Sequence, residues 1–236
     1  MAKDVLFEIG AEEIPAGYMP SLLEQFKTMA EAKLAEHRLS FGSIRTLGTP
    51  RRLALLINGV ADASEDLSER HKGPSVQIAY DKDGNPTKAA MGFARGKGVD
   101  VNDLVVEDGY IYAETTTAGV PAMKIFEEVL PQLLTGLSFP KSMHWADLDE
   151  KFVRPVRWLL ALLDTAVVPM EFAGVRASNF SRGHRFLGER GVLVQHPADY
   201  IKAMEDNFVI VDQDKRRAMI SEQLEALAKE HNATIV

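Results

Sequence analysis

Leu104-Val105-Val106-Glu107-Asp108-Gly109-Tyr110-Ile111-Tyr112 reads as two short apolar and aromatic strands joined at Glu107-Asp108-Gly109, residues that accept turn dihedrals. A hairpin makes neighbouring strands antiparallel, which argues against a doubly wound parallel sheet. Upstream, residues 5–9 form a buried strand that Gly10 should end, and Pro15 suits the first turn of a helix. Leu22, Leu23, Phe26, Met29, Ala30, Lys33 and Leu34 then recur at helical spacing to about Arg38. Residues 44–60 predict two strands bent at Thr49-Pro50, because proline holds the residue before it in extended geometry. Asp81-Lys82-Asp83-Gly84-Asn85-Pro86 marks a turn, and a helix is expected over 87–95.

Downstream of the hairpin, Ile125, Val129, Leu133 and Leu134 give another helix, which Pro131 should kink or end. Residues 156–163 are apolar enough to be buried, Arg157 being their one charged residue. Such a run suits a buried strand or a helix equally, and Pro155 at its start favours the helix. Strands are expected at 167–172, 192–194 and 208–211, with a short helix opening at Pro197. Asp212 is a good cap for a last helix whose stripe is Met219, Ile220, Gln223, Leu224 and Leu227. Helices and strands thus alternate without a regular repeat. The expected fold is α+β, a mixed or mainly antiparallel sheet packed against amphipathic helices, in two subdomains over 1–140 and 141–236. The second is expected to be cut short of further chain.

The chain has no cysteine, which excludes disulfides and thiolate zinc sites. Neither a signal peptide nor an apolar run of about 18 residues is visible, so a cytoplasmic protein without membrane contact is expected. A net charge of −7 does not suit a uniformly basic nucleic-acid binder, so any phosphate contact must be local. Residues 101–140 hold one Lys and six Asp/Glu, whereas 141–190 hold eight Lys/Arg against six Asp/Glu. Lys141, Arg154, Arg157, Arg182, His184 and Arg185, all in the second stretch, are therefore the candidate RNA-binding or interface residues. Phe152, Trp158 and Phe186 are assigned to the core.

No catalytic residue is assigned. Gly92, Gly96 and Gly98 match neither the dinucleotide nor the phosphate-loop spacing and read as a helix end. The six histidines are scattered singly, so no metal site is expected. Glu12 and Glu13 point in different directions as neighbours and are read as charges at the start of the next helix.

Five blocks carry a resemblance. They are Leu6-Phe7-Glu8-Ile9-Gly10-Ala11-Glu12-Glu13-Ile14-Pro15, Thr49-Pro50-Arg51-Arg52-Leu53-Ala54, Pro140-Lys141-Ser142-Met143-His144-Trp145, Phe152-Val153-Arg154-Pro155-Val156-Arg157-Trp158 and Arg182-Gly183-His184-Arg185-Phe186. In order and spacing they resemble the bacterial glycyl-tRNA synthetase β subunit family. The chain departs from the family pattern at Ala11, where threonine is usual, and at His144, where arginine is usual. The resemblance implies the N-terminal third of a β subunit that works with a glycyl-tRNA synthetase α subunit, in a heterotetramer of two α and two β subunits. In such an enzyme the α subunit uses ATP, with Mg, to activate glycine, and the β subunit supports recognition of tRNA(Gly) and assembly. This region needs no cofactor of its own and is expected to be inactive alone. An editing-like aminoacyl-tRNA hydrolase and a pure assembly scaffold are the alternative functions.

Overall fold

The computed structural model describes residues 2–235. In chain order its strands are β1 (Lys3–Ala11), β2 (Ser43–Thr49), β3 (Arg52–Val60), β4 (Leu67–Ser75), β5 (Val105–Glu107), β6 (Tyr110–Thr117), β7 (Val156–Leu163), β8 (Ala166–Val167), β9 (Glu171–Phe172), β10 (Val175–Ser178), β11 (Phe180–Ser181) and β12 (Val192–Leu193). Its helices are α1 (Met19–Glu36), α2 (Val76–Ala79), α3 (Lys88–Lys97), α4 (Ala122–Gly136), α5 (Tyr200–Asp206) and α6 (Gln213–Glu230). The fold is α+β. It divides into two compact units, Met1–Ala63 with Pro121–Val236, and Ser64–Val120.

In the larger unit one sheet runs in the order β2-β3-β1-β7-β10-β9, with β8 paired to β7. All its pairings are antiparallel except β10 with β7. Successive side chains on a strand leave opposite faces, and here both faces are covered. Val5, Phe7 and Ile9 share a core with Leu22, Phe26, Ala30 and Leu34 of α1 and with Ile125, Phe126, Val129 and Leu133 of α4. The α1 residues lie four apart, which is the spacing that stacks side chains on one helix face. Leu6, Ala54, Leu56, Leu160 and Leu162 face the other way, onto Val192, Val194, Tyr200, Met204 and Val211.

Several expectations are corrected. Residues 156–163 are a strand, not a helix: β7 lies at the middle of the sheet, buried on both faces, and so shows no alternation. The division expected at 140/141 is not where the compact units part, because β7 pairs with β1 along seven residues of register across that point. β1 continues through Gly10 to Ala11, and α4 runs through Pro131 to Gly136. Residues 208–211 are not a strand. The chain leaves α5 through Phe208 at φ 60°, with the Phe208 and Val209 amides bonded back to the Glu205 and Met204 carbonyls. On α6 the capping by Asp212 is present, its carboxylate accepting from the Asp214 and Lys215 amides, but Ile220, Leu224 and Leu227 are exposed.

The smaller unit is a three-stranded antiparallel sheet in the order β4-β6-β5. Its core is Ala79, Ala90, Ala94, Leu104, Ile111 and Ala113. Between β5 and β6 both turn residues, Asp108 and Gly109, have positive φ (48° and 77°), the geometry that matches the twist of a tight hairpin. Among the described residues no helix is long and apolar enough to cross a membrane.

Candidate nucleic-acid interface

The alternation on β1 that sends Leu6 to the second face also sends Glu8 and Gly10 there, and this places a carboxyl group inside an apolar layer. Glu8 is 0% exposed. The indole Nε1 of Trp158 donates to its Oε1, and Ser181 Oγ lies 2.8 and 2.9 Å from its two oxygens. The hydroxyl of Tyr200, also fully buried, is close enough to Glu8 and Arg52 to feel both. Burial, then the charge of Glu8, hold it well above the usual phenol range, against a smaller opposite effect of Arg52. Arg52 itself is buried and directs Nη2 to the Arg182 carbonyl (2.7 Å) and Nη1 to Met204 Sδ (2.8 Å). The partners of Glu8 and Arg52 tie β1, β3 and β7 to the chain around residues 181–204, while the buried Tyr200 hydroxyl and Arg52 Nε have no hydrogen-bond partner among the described residues.

Above this network lies Trp158. In the sheet register Gly10 stands opposite both Arg52 on β3 and Trp158 on β7, so the missing side chain at position 10 leaves room for the indole to lie across the strand. A Cβ there would fall inside the ring. Three guanidinium groups surround the indole, Arg182 at 4.9 Å, Arg52 at 5.6 Å and Arg51 at 5.7 Å from its centroid. An indole face attracts cations, which lets three like charges share one region.

Outside the indole the arginines converge on one acid. Glu12 lies 3.2 Å from Arg185, 3.5 Å from Arg157 and 3.7 Å from Arg51. Strand end and turn geometry set this up: the Glu12 amide donates to the Pro155 carbonyl beside β7, and the Ala11 amide to the Arg51 carbonyl at the β2–β3 bend. Positive charge exceeds negative here, because one carboxylate serves three guanidinium groups. The pKa of Arg51 is lowered from the usual arginine value first by burial and next by the charge of Arg185, with Glu12 opposing. The pKa of Arg182 is lowered first by burial and next by Arg157, again with Glu12 opposing. An excess of guanidinium charge around a single acid is suited to a polyanion, whose phosphates would supply the missing counter-charge.

Of the candidates read from the sequence, Arg157, Arg182, Arg185 and His184 are brought to this region. His184 Nδ1 accepts from the Phe186 and Leu187 amides at 3.3 and 3.2 Å, so the ring holds a loop and its Nδ1 is occupied. Arg154 is bonded to the Val153 carbonyl, and Lys141 is exposed in the irregular chain before β7; neither has a hydrogen bond or ion pair to the cluster among the described residues. Phe152 and Trp158 are buried as expected, but Phe186 is 84% exposed and is not a core residue. Glu12 does not cap a helix; the turn that follows starts at Pro15 with no side-chain cap. The charge count over 141–190 missed Arg51, Arg52 and Glu12, although all three stand in the quoted sequence blocks. Among the described residues no group of three His, Cys, Asp or Glu side chains is placed to hold a metal ion.

Glu12→Gln tests the electrostatics directly. The pairs to Arg157 and Arg185 are half exposed and the pair to Arg51 partly buried, each worth about 1 kcal/mol, so folding should survive with a Tm only a few degrees lower. Released from their shared acid, the arginines should hold heparin more tightly, and the variant should elute from a heparin column at higher salt. Elution at unchanged or lower salt would mean that Glu12 does not restrain this surface.

A family model described as Glycyl-tRNA synthetase beta subunit matches residues 5–236. The "Glycine--tRNA ligase beta subunit" of Desulfitobacterium hafniense (strain Y51) is 47% identical over 232 residues, covering 97% of this chain and 34% of the relative. Proteins of the same name from Moorella thermoacetica and Halothermothrix orenii are 44% and 41% identical, covering 100% of this chain and 34% of each relative. The chain thus spans about a third of the length of the curated relatives it matches. On this match, and on the sequence blocks that build the arginine cluster, the chain belongs to the glycyl-tRNA synthetase beta subunit family.

Proposed function

We propose that this region supports glycylation of tRNA by contributing a phosphate-binding surface, with Arg157 and Arg185 as its exposed contacts and Arg51, Arg52 and Arg182 as the charged layer stacked on Trp158. The observation that carries this reading is the sharing of the single carboxylate of Glu12 by arginines from three distant sequence blocks. The relatives' name, glycine--tRNA ligase beta subunit, implies both an α subunit and a tRNA substrate. In this reading ATP and its magnesium belong to the α subunit, the assembly is a cytoplasmic heterotetramer of two α and two β subunits, and this chain supplies no catalytic group. Arg154 and Lys141, which stand apart from the cluster, are assigned to assembly with the α subunit.

Kinetics of the whole α–β enzyme test the proposal. Arg157→Gln with Arg185→Gln removes two guanidinium groups that are half exposed and whose loss should leave the fold intact. If they neutralise phosphates, KM for tRNA should rise about tenfold or more while KM for glycine and ATP stays unchanged. Unchanged KM for tRNA would remove the proposal. A rise in KM for glycine would place the cluster at the α subunit's site.

A further inference from the structure

Beside the arginine cluster lies a cleft of about 400 Å³, lined among others by Arg51, Arg52, Arg185, Arg216, Phe186 and Phe208. Two of these residues are anomalous for a surface. Phe186 is 84% exposed and Phe208 60% exposed, and an aromatic ring left in water forgoes the burial that usually holds such residues inside.

Both rings are held on a fixed frame. The loop that carries Phe186 is closed by the Gly183 amide on the Glu189 carbonyl (2.8 Å) and the Gly188 amide on the His184 carbonyl (2.9 Å). Asn207 ties that loop to the neighbouring chain: its carbonyl accepts from the His184 amide (2.9 Å) and its Oδ1 from the Glu189 amide (3.1 Å). Phe208 follows directly. A Cβ at Gly183 would lie within 3.0 Å of Asn207 Cβ and of Glu189 backbone atoms, so the two segments approach as closely as backbone allows. Rings presented on hydrogen-bonded turns lose little freedom when a flat partner stacks on them.

We propose that this cleft binds an unpaired nucleotide of RNA, its base stacked on Phe186 and Phe208 and its phosphate held by Arg185 and Arg51. The inference rests on the phosphate-binding reading above and adds to it a preference for single-stranded RNA. A cleft of 400 Å³ lies in the range of small-ligand pockets, and aromatic faces beside guanidinium groups are the combination by which single strands are held without sequence readout. Duplex RNA has its bases stacked internally and can offer only its phosphates.

The test compares two probes on the whole α–β enzyme, a short single-stranded oligoribonucleotide and a blunt RNA duplex. Phe186→Ala with Phe208→Ala should weaken the single strand about tenfold or more and leave the duplex, and the salt dependence of both, unchanged. Phe186→Trp with Phe208→Trp should restore single-strand binding, since either ring offers a stacking face. Equal loss for both probes, or no loss for the single strand, overturns the nucleotide pocket. Its failure is separable from failure of the phosphate reading, because Arg157→Gln with Arg185→Gln should weaken both probes if that reading holds and neither if it does not. Loss of α-subunit association in the double alanine variant, with single-strand binding retained, would make the cleft a protein-docking site and likewise overturn the proposal.

Discussion

Glu8→Ala should lower the Tm of the 236-residue chain by roughly 6–20 °C. The carboxyl group is fully buried, and its removal strands the Trp158 N–H and leaves the Ser181 hydroxyl only the weak acceptor Met204 Sδ at 3.4 Å. An abandoned buried donor costs about 1–3 kcal/mol, and the void left behind adds to it, for a total of roughly 3–5 kcal/mol. In a domain of 150–250 residues each kcal/mol moves Tm by about 2–4 °C. Glu8→Gln keeps one acceptor oxygen of the same shape and should lose less than half as much. A drop of under 2 °C for Glu8→Ala would show that the network around it contributes nothing to stability.

Gly10→Ala should be nearly as damaging, through sterics alone. The new Cβ would occupy the space of the Trp158 ring, and the ring cannot yield without giving up its bond to Glu8 and the three arginines stacked around it. Overpacking in a filled core costs about 1–3 kcal/mol, to which the lost hydrogen bond adds. Thermal unfolding of a double-mutant cycle checks the cause. Trp158→Leu frees the space, so the Gly10→Ala penalty should be largely absent in the Trp158→Leu background. Additive losses would place the clash elsewhere on β1.

How much of this was legible in the sequence depended on how local the determining contacts are. The Asp108-Gly109 hairpin and the α1 stripe at Leu22, Phe26, Ala30 and Leu34 are local patterns, and both stand in the structure as read. β7 was misread because a strand covered on both faces has no period to detect, and only its pairing with β1, some 150 residues earlier, makes it a strand. The same distance hid half of the candidate site. Counting charge in a window picked out Arg157, Arg182 and Arg185, but Arg51 and Arg52 enter from the β2–β3 bend and Glu12 from the end of β1. Phe186 was placed in the core because aromatic residues usually are; its exposure follows from a tight loop tied to Asn207, which no spacing rule foretells.

The charge assigned to the cluster can be read most directly from the salt dependence of tRNA binding to the whole α–β enzyme. Each neutralised phosphate contributes about 0.7–0.9 to the slope of log affinity against log salt, so Arg157→Gln with Arg185→Gln should flatten that slope by roughly 1.4–1.8, with the Tm of the enzyme lowered by no more than a few degrees. A slope equal to that of the unmodified enzyme would contradict the account, and the arginines gathered around Glu12 would then be a structural corner of the fold.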